Sequence, residues 1–572
     1  MGACFGLLAW DTKEKPQRLL LATHNRIGQL VTEKWYDGVQ NGNEIAHYKY
    51  VYDGNGDIVR SIDLGAEKEY TYTYENGVLV RAAEYGITFN DSEIVTGKVL
   101  ADSVHYVYDQ NGKLAKKRIF TGGEEVRTLY YETSEENETI LRMKTGERTV
   151  LFHGKTDSFG RREFDELQLN GTGTISRSFV YHEGEVTEEH KENRKKKSSP
   201  TTSLVSRITF ADGRTLSYEY DKEERITKVV DSLGETTEYT YDALGQLKTE
   251  TVTDAEGTAT VVNTMAYDNY GNITGKNGIA YTYGNDQWKD LLTGYGDQTI
   301  ACDAQGNPTS YLGHTLTWEK GRQLKFFDNC TYTYNANGIR TGKTVNGVEH
   351  IYMLDGSRIL RELWGSNELM PIYDNADSVS GIIYNGVSYY FQKNLQGDVI
   401  ELVDEEAEVV ARYTYDAWGK VTGVKDKSGN AITDTAHIAH VNPFRYRGYY
   451  FDAEIGLYYL QSRYYDPVVG RFVNADDAIC LKVSEGILGY NLLEYCKNNP
   501  ANNYDPTGYW VVSFGVEFGA AFVLGLYLAV GVNCDGENIS VTFSTGFLII
   551  TNVAASVSGT LLIIRIKKVS TI

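Results

Sequence analysis

Cysteine is rare in this 572-residue chain, and Cys4, Cys302, Cys330, Cys480, Cys496 and Cys534 follow neither the spacing of a zinc site nor that of a disulfide framework. Basic charge is in deficit. Lys and Arg number 56 against 77 Asp and Glu, a net charge of -21, which argues against nucleic acid as a general partner and for a soluble, self-repelling surface. The N-terminus lacks a basic stretch ahead of its short apolar run, so no signal peptide is read there, and Gly6 stands where a myristoylation signal wants Ser or Thr. No Gly-rich phosphate loop ending in Lys-Ser/Thr and no Gly-x-Ser-x-Gly elbow occurs, which leaves nucleotide-driven and serine-hydrolase chemistry without support. Proline is scarce as well.

What is abundant is tyrosine and glycine: 44 Tyr against 19 Phe and 7 Trp, and 57 Gly against 8 Pro. That balance favours many short strands joined by tight turns, in a chain too long for one ordinary core. The tyrosines repeat in a pattern. Tyr50-Val-Tyr52-Asp53, Tyr106-Val-Tyr108-Asp109, Tyr218-Glu-Tyr220-Asp221, Tyr239-Thr-Tyr241-Asp242 and Tyr413-Thr-Tyr415-Asp416 share one motif, with degenerate copies at Tyr72, Tyr267, Tyr281, Leu316 and Tyr332. A glycine follows within a few residues in most copies, as at Gly56, Gly112, Gly245, Gly271, Gly338 and Gly419, and then an apolar residue such as Leu114, Leu247 or Ile273.

The physics of one unit is simple. Alternate tyrosines fall on one face of a strand, the Asp side chain accepts from the following amides as an Asx turn, and the Gly supplies the positive φ the turn needs. Each unit is therefore a β-hairpin, and stacked hairpins build a tyrosine ladder.

This pattern resembles the YD repeats of the RHS family, which includes bacterial polymorphic toxins, insecticidal toxin-complex C components and animal teneurins. The resemblance covers about residues 46 to 509. It is most specific in the block Asn442-Pro-Phe-Arg-Tyr-Arg-Gly-Tyr-Tyr-Phe-Asp452, Gly456-Leu-Tyr-Tyr-Leu-Gln-Ser-Arg-Tyr-Tyr-Asp-Pro-Val-Val-Gly-Arg-Phe472 and Tyr504-Asp-Pro-Thr-Gly508, which matches the RHS repeat-associated core. It implies an all-β fold in which a long antiparallel sheet of hairpins spirals into a hollow shell, closed at one end by the core, with a variable tail beyond. The expected organisation is an N-terminal segment over 1–45, a YD-repeat shell over 46–440, the core over 441–509 and an apolar tail over 510–572. Within the shell, the polar stretch from 183 to 203 reads as an exposed linker and the run Thr133–Thr139 as a loop tip.

The resemblance also implies chemistry. Many family cores are aspartyl autoproteases, in which two carboxyls cut the chain after an Asp-Pro-x-Gly-Leu motif. Carried onto this sequence, the pair is Asp476 and Asp505, with Arg471 as a charge partner and the cut after Tyr509. The sequence departs from the pattern: Asp477-Ala478-Ile479 replaces the usual continuation and Tyr509 the usual Leu, and Asp505-Pro-Thr-Gly508 alone also reads as a plain turn. At most, then, the chain is a self-cleaving protease. No cofactor and no metal are expected. His437 and His440 lack a third ligand at a matching spacing, and the stretch before Asn442 reads as a loop.

Beyond Gly508 the composition changes. Residues Val512 to Val532 alternate large apolar with small residues, a strand period rather than a transmembrane helix, and the segment from Asn533 to Asn538 supplies a turn, so the tail reads as an apolar hairpin. Two functions follow: a shell that carries and releases a membrane-acting toxin tail, or a structural or adhesive surface protein with the tail as internal plug. The expected setting is secreted or at the cell surface, by an unknown export route. The partners raised are a cognate immunity protein, a target membrane for the tail, and a cell-surface carbohydrate or protein.

Overall fold

The computed structural model describes residues 4–10, 16–37, 42–133, 137–170, 173–183, 201–476, 491–509, 511–513, 526–535 and 538–547. Strand follows strand. Among the described residues a 24-stranded sheet runs from Cys4 to Thr299 and a 14-stranded sheet from Ala301 to Lys425. Neighbours in the chain pair antiparallel, as Lys68–Glu75 does with Val78–Phe89 and Leu247–Thr253 with Ala259–Tyr267. Three strands before residue 45, Cys4–Trp10, Pro16–His24 and Leu30–Asp37, join the first sheet in the same way.

The hairpin turns follow the sequence logic closely. Asp53 accepts from the amides of Asn55 at 2.9 Å and Asp57 at 3.0 Å through one carboxylate oxygen, and Gly56 sits at φ 95. Asp109, Asp242, Asp268 and Asp416 repeat the arrangement. Each turn ends in a bulge that pairs the last tyrosine with the apolar residue six positions on, as Tyr52 with Ile58, Tyr241 with Leu247 and Tyr267 with Ile273.

The last tyrosine of the repeat strand does more than pack. Its hydroxyl donates to the backbone carbonyl of a residue in the preceding unit: Tyr52 to Leu30 at 2.8 Å, Tyr108 to Leu79 at 2.9 Å, Tyr220 to Val205 at 2.9 Å, Tyr267 to Leu247 at 2.6 Å, Tyr283 to Ile273 at 2.8 Å and Tyr415 to Val399 at 2.8 Å. The phenol thus satisfies a carbonyl beside a turn, where the sheet ladder is interrupted. Tyr267→Phe is expected to lower stability by about 1 kcal/mol, read as a shift in urea midpoint, because it leaves the Leu247 carbonyl without that donor. Tyr270→Phe, at an exposed turn tip, is the control and shifts nothing.

The two sheets face each other. Val104, Ile119, Leu141, Met143 and Leu169 of the first pack with Ile372, Ile383 and Val403 of the second in one buried cluster. Polar ties cross the seam: Arg177 donates to the Lys393 carbonyl at 2.9 Å, and Arg214 pairs with Glu401 at 2.8 Å. The long antiparallel ribbon of hairpins predicted from the sequence is therefore the architecture.

Three sequence expectations meet the limits of the description. Of the polar stretch 183–203, residues 184–200 lie outside the described residues, although the flanking strands Gly173–Glu183 and Thr201–Phe210 pair directly. Thr133 pairs with Thr139 across a loop whose residues 134–136 are not described. In the tail, Leu526–Asp535 and Asn538–Phe547 form an antiparallel hairpin, with Asp535 opposite Asn538 and Val530 opposite Phe543, while residues 514–525 and 548–572 lie outside the description. Among the described residues no helix is long and apolar enough to cross a membrane.

Candidate active site

The block after residue 441 is built from short pieces, because its turns leave little room for long strands. A four-stranded meander, Tyr450–Asp452, Leu457–Tyr459, Tyr464–Asp466 and Arg471–Phe472, is followed by a left-handed turn over Cys496–Asn498, with φ of 54, 53 and 55, and a two-residue strand, Asn503–Tyr504. Its tyrosines anchor it to the last repeat turn. Tyr446 donates to the Ala417 carbonyl at 2.8 Å, Tyr465 to Trp418 at 2.7 Å and Tyr458 to Gly419 at 2.9 Å, so three phenols take three successive carbonyls. At the same turn position Leu244 is 53% and Tyr270 is 68% exposed, whereas Trp418 is fully covered. The block buries what the other turns leave in water.

Asparagines make the second set of ties. Asn498 donates to the Gly271 carbonyl at 2.6 Å and to Gln246 at 2.9 Å, Asn499 donates to the Gly245 carbonyl at 2.8 Å, and Asn502 accepts from the Ile226 amide at 2.7 Å. Asn-Asn-Pro-Ala-Asn thus engages three alternate turns along one edge of the first sheet. On the other side, Asp452 is fully buried between Arg340 at 2.6 Å and Lys343 at 2.8 Å, both from a strand of the second sheet. The block is clamped from both sheets.

Asp476 and Asp505, separated in sequence, are brought to one atom. Nη2 of Arg463 lies 3.1 Å from Oδ2 of Asp476 and 3.2 Å from Oδ2 of Asp505, and all three side chains are buried. Arg463 is positioned by its other nitrogens: Nη1 donates to the Leu492 carbonyl at 3.0 Å, Nε donates to the Gly508 carbonyl, and the guanidinium carbon stands 3.5 Å from the Phe472 ring centroid. The other oxygen of Asp505 accepts from the amides of Thr507 at 3.2 Å, Gly508 at 2.8 Å and Tyr509 at 3.1 Å. Asp505 is therefore at once the turn former and a member of the buried pair.

The turn itself is a hairpin loop. Asn503 pairs with Ser513 and Tyr504 with Val512, so residues 505 to 511 reverse the chain, and the loop is pinned by Ser462, whose hydroxyl donates to the Thr507 carbonyl at 2.8 Å. Gly508 sits at φ 79, and a Cβ there would come within 2.4 Å of the Ser462 hydroxyl. Tyr509 is partly exposed, at the site of the expected cut. Trp510, on the far side of that bond, lies outside the described residues.

Arg471 does not join this group. It reaches Tyr283 at 2.5 Å, the Asp290 carbonyl at 2.9 Å and Asn272 at 3.4 Å, and so ties the block to the first sheet. The guanidinium beside the aspartates belongs to Arg463, thirteen positions before Asp476. Sequence proximity selected the wrong arginine, because Arg471 opens its strand facing the first sheet while Arg463, just ahead of the neighbouring strand Tyr464–Asp466, lies beside the Asp505 loop. The histidines are likewise structural. His437 accepts from the Ala439 amide at 3.2 Å as the N-cap of a one-turn helix, Ile438–Val441, where a loop was expected, and His440 donates to the Ile432 carbonyl at 2.8 Å.

Another carboxyl lies under the last repeat turn. Glu250 accepts from the Ala417 amide at 2.9 Å and from Asn263 at 2.6 Å, and burial, followed by the nearby Asp416 charge, pushes its carboxyl up to about 8 against an ordinary 4.5. A raised carboxyl binds its proton more tightly in the folded chain, so folding is undisturbed below about pH 4.5 and stability falls as pH rises from there to about 8. Glu250→Gln is expected to flatten that decline by a few kcal/mol, seen by comparing urea midpoints at pH 5 and pH 8 with those of the parent chain.

Residues 225–259 match the family model described as RHS Repeat, and residues 364–500 match the one described as Teneurin YD-shell. Those two stretches are RHS-repeat and YD-shell sequence. Among curated relatives, the tRNA3(Ser)-specific nuclease WapA of Bacillus spizizenii is 34% identical over 307 residues, covering 51% of this chain and 12% of that protein. The double-stranded DNA deaminase toxin A of Burkholderia cenocepacia is 24% identical over 338 residues, covering 51% of this chain and 22% of that protein. The chain thus spans a small part of the length of these relatives. A solved structure titled TcdB2-TccC3-Cdc42 covers 86% of this chain and 30% of that chain at 15% identity, with a TM-score of 0.46.

These relatives correct one expectation. Net negative charge was taken to exclude nucleic acid, yet proteins that share half of this chain are named for action on tRNA and on double-stranded DNA. Physically, a net charge summed over a chain that is mostly YD-shell reports the shell's surface and carries no information on what an appended segment acts upon.

Proposed function

We propose that this YD-shell protein carries a toxin tail and frees it by cutting its own chain after Tyr509. The observation that supports the reading most directly is the meeting of Asp476 and Asp505 on one nitrogen of Arg463, with the Asp505 loop held by its own carboxylate. In this reading one of the two carboxyls serves as base and the other, carrying a proton, as acid. The base takes a proton from water, whose oxygen bonds to the Tyr509 carbonyl carbon. The acid gives its proton to the Trp510 nitrogen as the carbon–nitrogen bond breaks, leaving a new carboxyl terminus and a new amine. Arg463 is the positioning residue that fixes both acids and the Gly508 carbonyl.

The tail is proposed to act on membranes, on the strength of its apolar alternation and of the hairpin from Leu526 to Phe547. The protein's setting is then secreted or cell-surface, and a cognate immunity protein is its partner in the producing cell. Intact-mass analysis of the expressed chain is the test: the expected masses are those of residues 1–509 and 510–572, and leakage from liposomes given the released fragment supports the membrane target. A single full-length mass rules out autocleavage.

A further inference from the structure

The seam between the two sheets holds a small cavity of about 20 Å³, room for one water-sized or halide-sized occupant, with an unusual lining: Lys117 and Arg127 from the first sheet, Arg358, Asp374 and Asp377 from the second, and apolar walls that include Met143 and Leu360. Its charges can be accounted for group by group. Lys117 and Arg358 both pair with Asp355, which also accepts from the Tyr106 hydroxyl at 2.5 Å. Arg358 pairs further with Asp377. Asp374 accepts from the amides of Ala376 and Ser378 and faces Lys393 at 3.6 Å.

Arg127 is the one left over. It is 4% exposed; Nη1 donates to the Pro371 carbonyl at 2.6 Å and Nε to the Thr145 hydroxyl at 3.3 Å, both neutral acceptors, and Nη2 is buried with no hydrogen-bond partner. No carboxylate pairs with it among the described ion pairs, and burial holds its guanidinium down to about 10. A buried guanidinium without a counter-charge is costly, and a water molecule would satisfy its hydrogen bond but leave its charge uncompensated.

We infer that this cavity binds a small monovalent anion on Nη2 of Arg127, a halide-sized ion that pins the two sheets of the shell together. The ligand class follows from the site. One cation is unmatched, the walls are partly apolar, the remaining carboxylates at the rim repel multivalent anions, and the open corner of the guanidinium offers one donor edge. A weakly hydrated anion loses least on entering such a place.

The test uses the full chain. Thermal unfolding is followed in sodium chloride and in sodium gluconate at equal ionic strength, gluconate being too large for the cavity. Chloride is expected to raise the melting temperature by several degrees in a saturable way, with Arg127→Met losing the chloride dependence. Crystals soaked in bromide give an independent reading on the unsubstituted chain, with an anomalous peak expected within hydrogen-bonding distance of Nη2. Equal melting temperatures in both salts, a chloride effect that survives in Arg127→Met, or a bromide-soaked cavity holding only water would each overturn the inference.

Discussion

Asp505→Asn is expected to leave the full-length chain as the single band on a denaturing gel, where the unsubstituted chain gives a shell fragment and a small tail fragment. Asparagine keeps the oxygen that accepts from Thr507, Gly508 and Tyr509, so the loop should hold its shape while the acid–base function is lost. Asp476→Asn should give the same result through the other carboxyl. Loss of one catalytic proton-transfer group typically slows a reaction by 10²–10⁴-fold, enough to turn complete cleavage into none on the time scale of expression. Arg463→Lys should slow the cut severely as well, because a single ammonium cannot hold both acids and the Gly508 carbonyl at once. Arg471→Gln is the discriminating control: its contacts are with Tyr283, Asp290 and Asn272, so cleavage should persist even as the block loosens from the first sheet.

Arg340→Met is expected to cost about 3–5 kcal/mol of stability, the largest single effect foreseen away from the cut, read from urea unfolding. Arg340 and Asp452 are both inaccessible to solvent and 2.6 Å apart, and burial of the Asp452 carboxyl is outweighed by Arg340 and Lys343, which hold it below its ordinary range. Removing Arg340 strands a buried carboxylate with Lys343 alone. Asp452→Asn should cost a similar amount for the opposite reason, leaving the buried Arg340 without a carboxylate while Lys343 keeps Glu454 at 2.7 Å. In the double variant the penalty should be less than the sum of the two, since neither charge is then left to face an absent partner. Because the pair joins the second sheet to the closing block, its loss should also raise the susceptibility of the Asn442–Gly508 region to protease.

The repeat was legible because its chemistry is local. An Asp, the amides two and four residues on, and a glycine at positive φ lie within one turn, and the sequence states all of them. The tyrosine hydroxyls were read only as ladder members, because their acceptors lie a whole unit away, as Leu247 does from Tyr267, and no side-chain pattern marks a backbone carbonyl. The two aspartates were legible through resemblance. The arginine was not: Arg463 and Arg471 both flank tyrosine-rich strands, and only the packing of those strands decides which one faces the Asp505 loop. The asparagines at 498, 499 and 502 carried a signal in their clustering, but nothing in the sequence tells that they address three alternate turns more than two hundred residues earlier.

Each tyrosine fastens its hairpin to the one before it, and the units between Val104 and Arg214 are held a second time across the seam by the second sheet. The register of those units is therefore fixed from two sides, and the turns at Asp221, Asp242 and Asp268 are fixed again, each keyed to one asparagine of the closing block. A slip of one hairpin along the ribbon would break the seam contacts and the asparagine contacts together, so sheet, seam and block proofread one another's register.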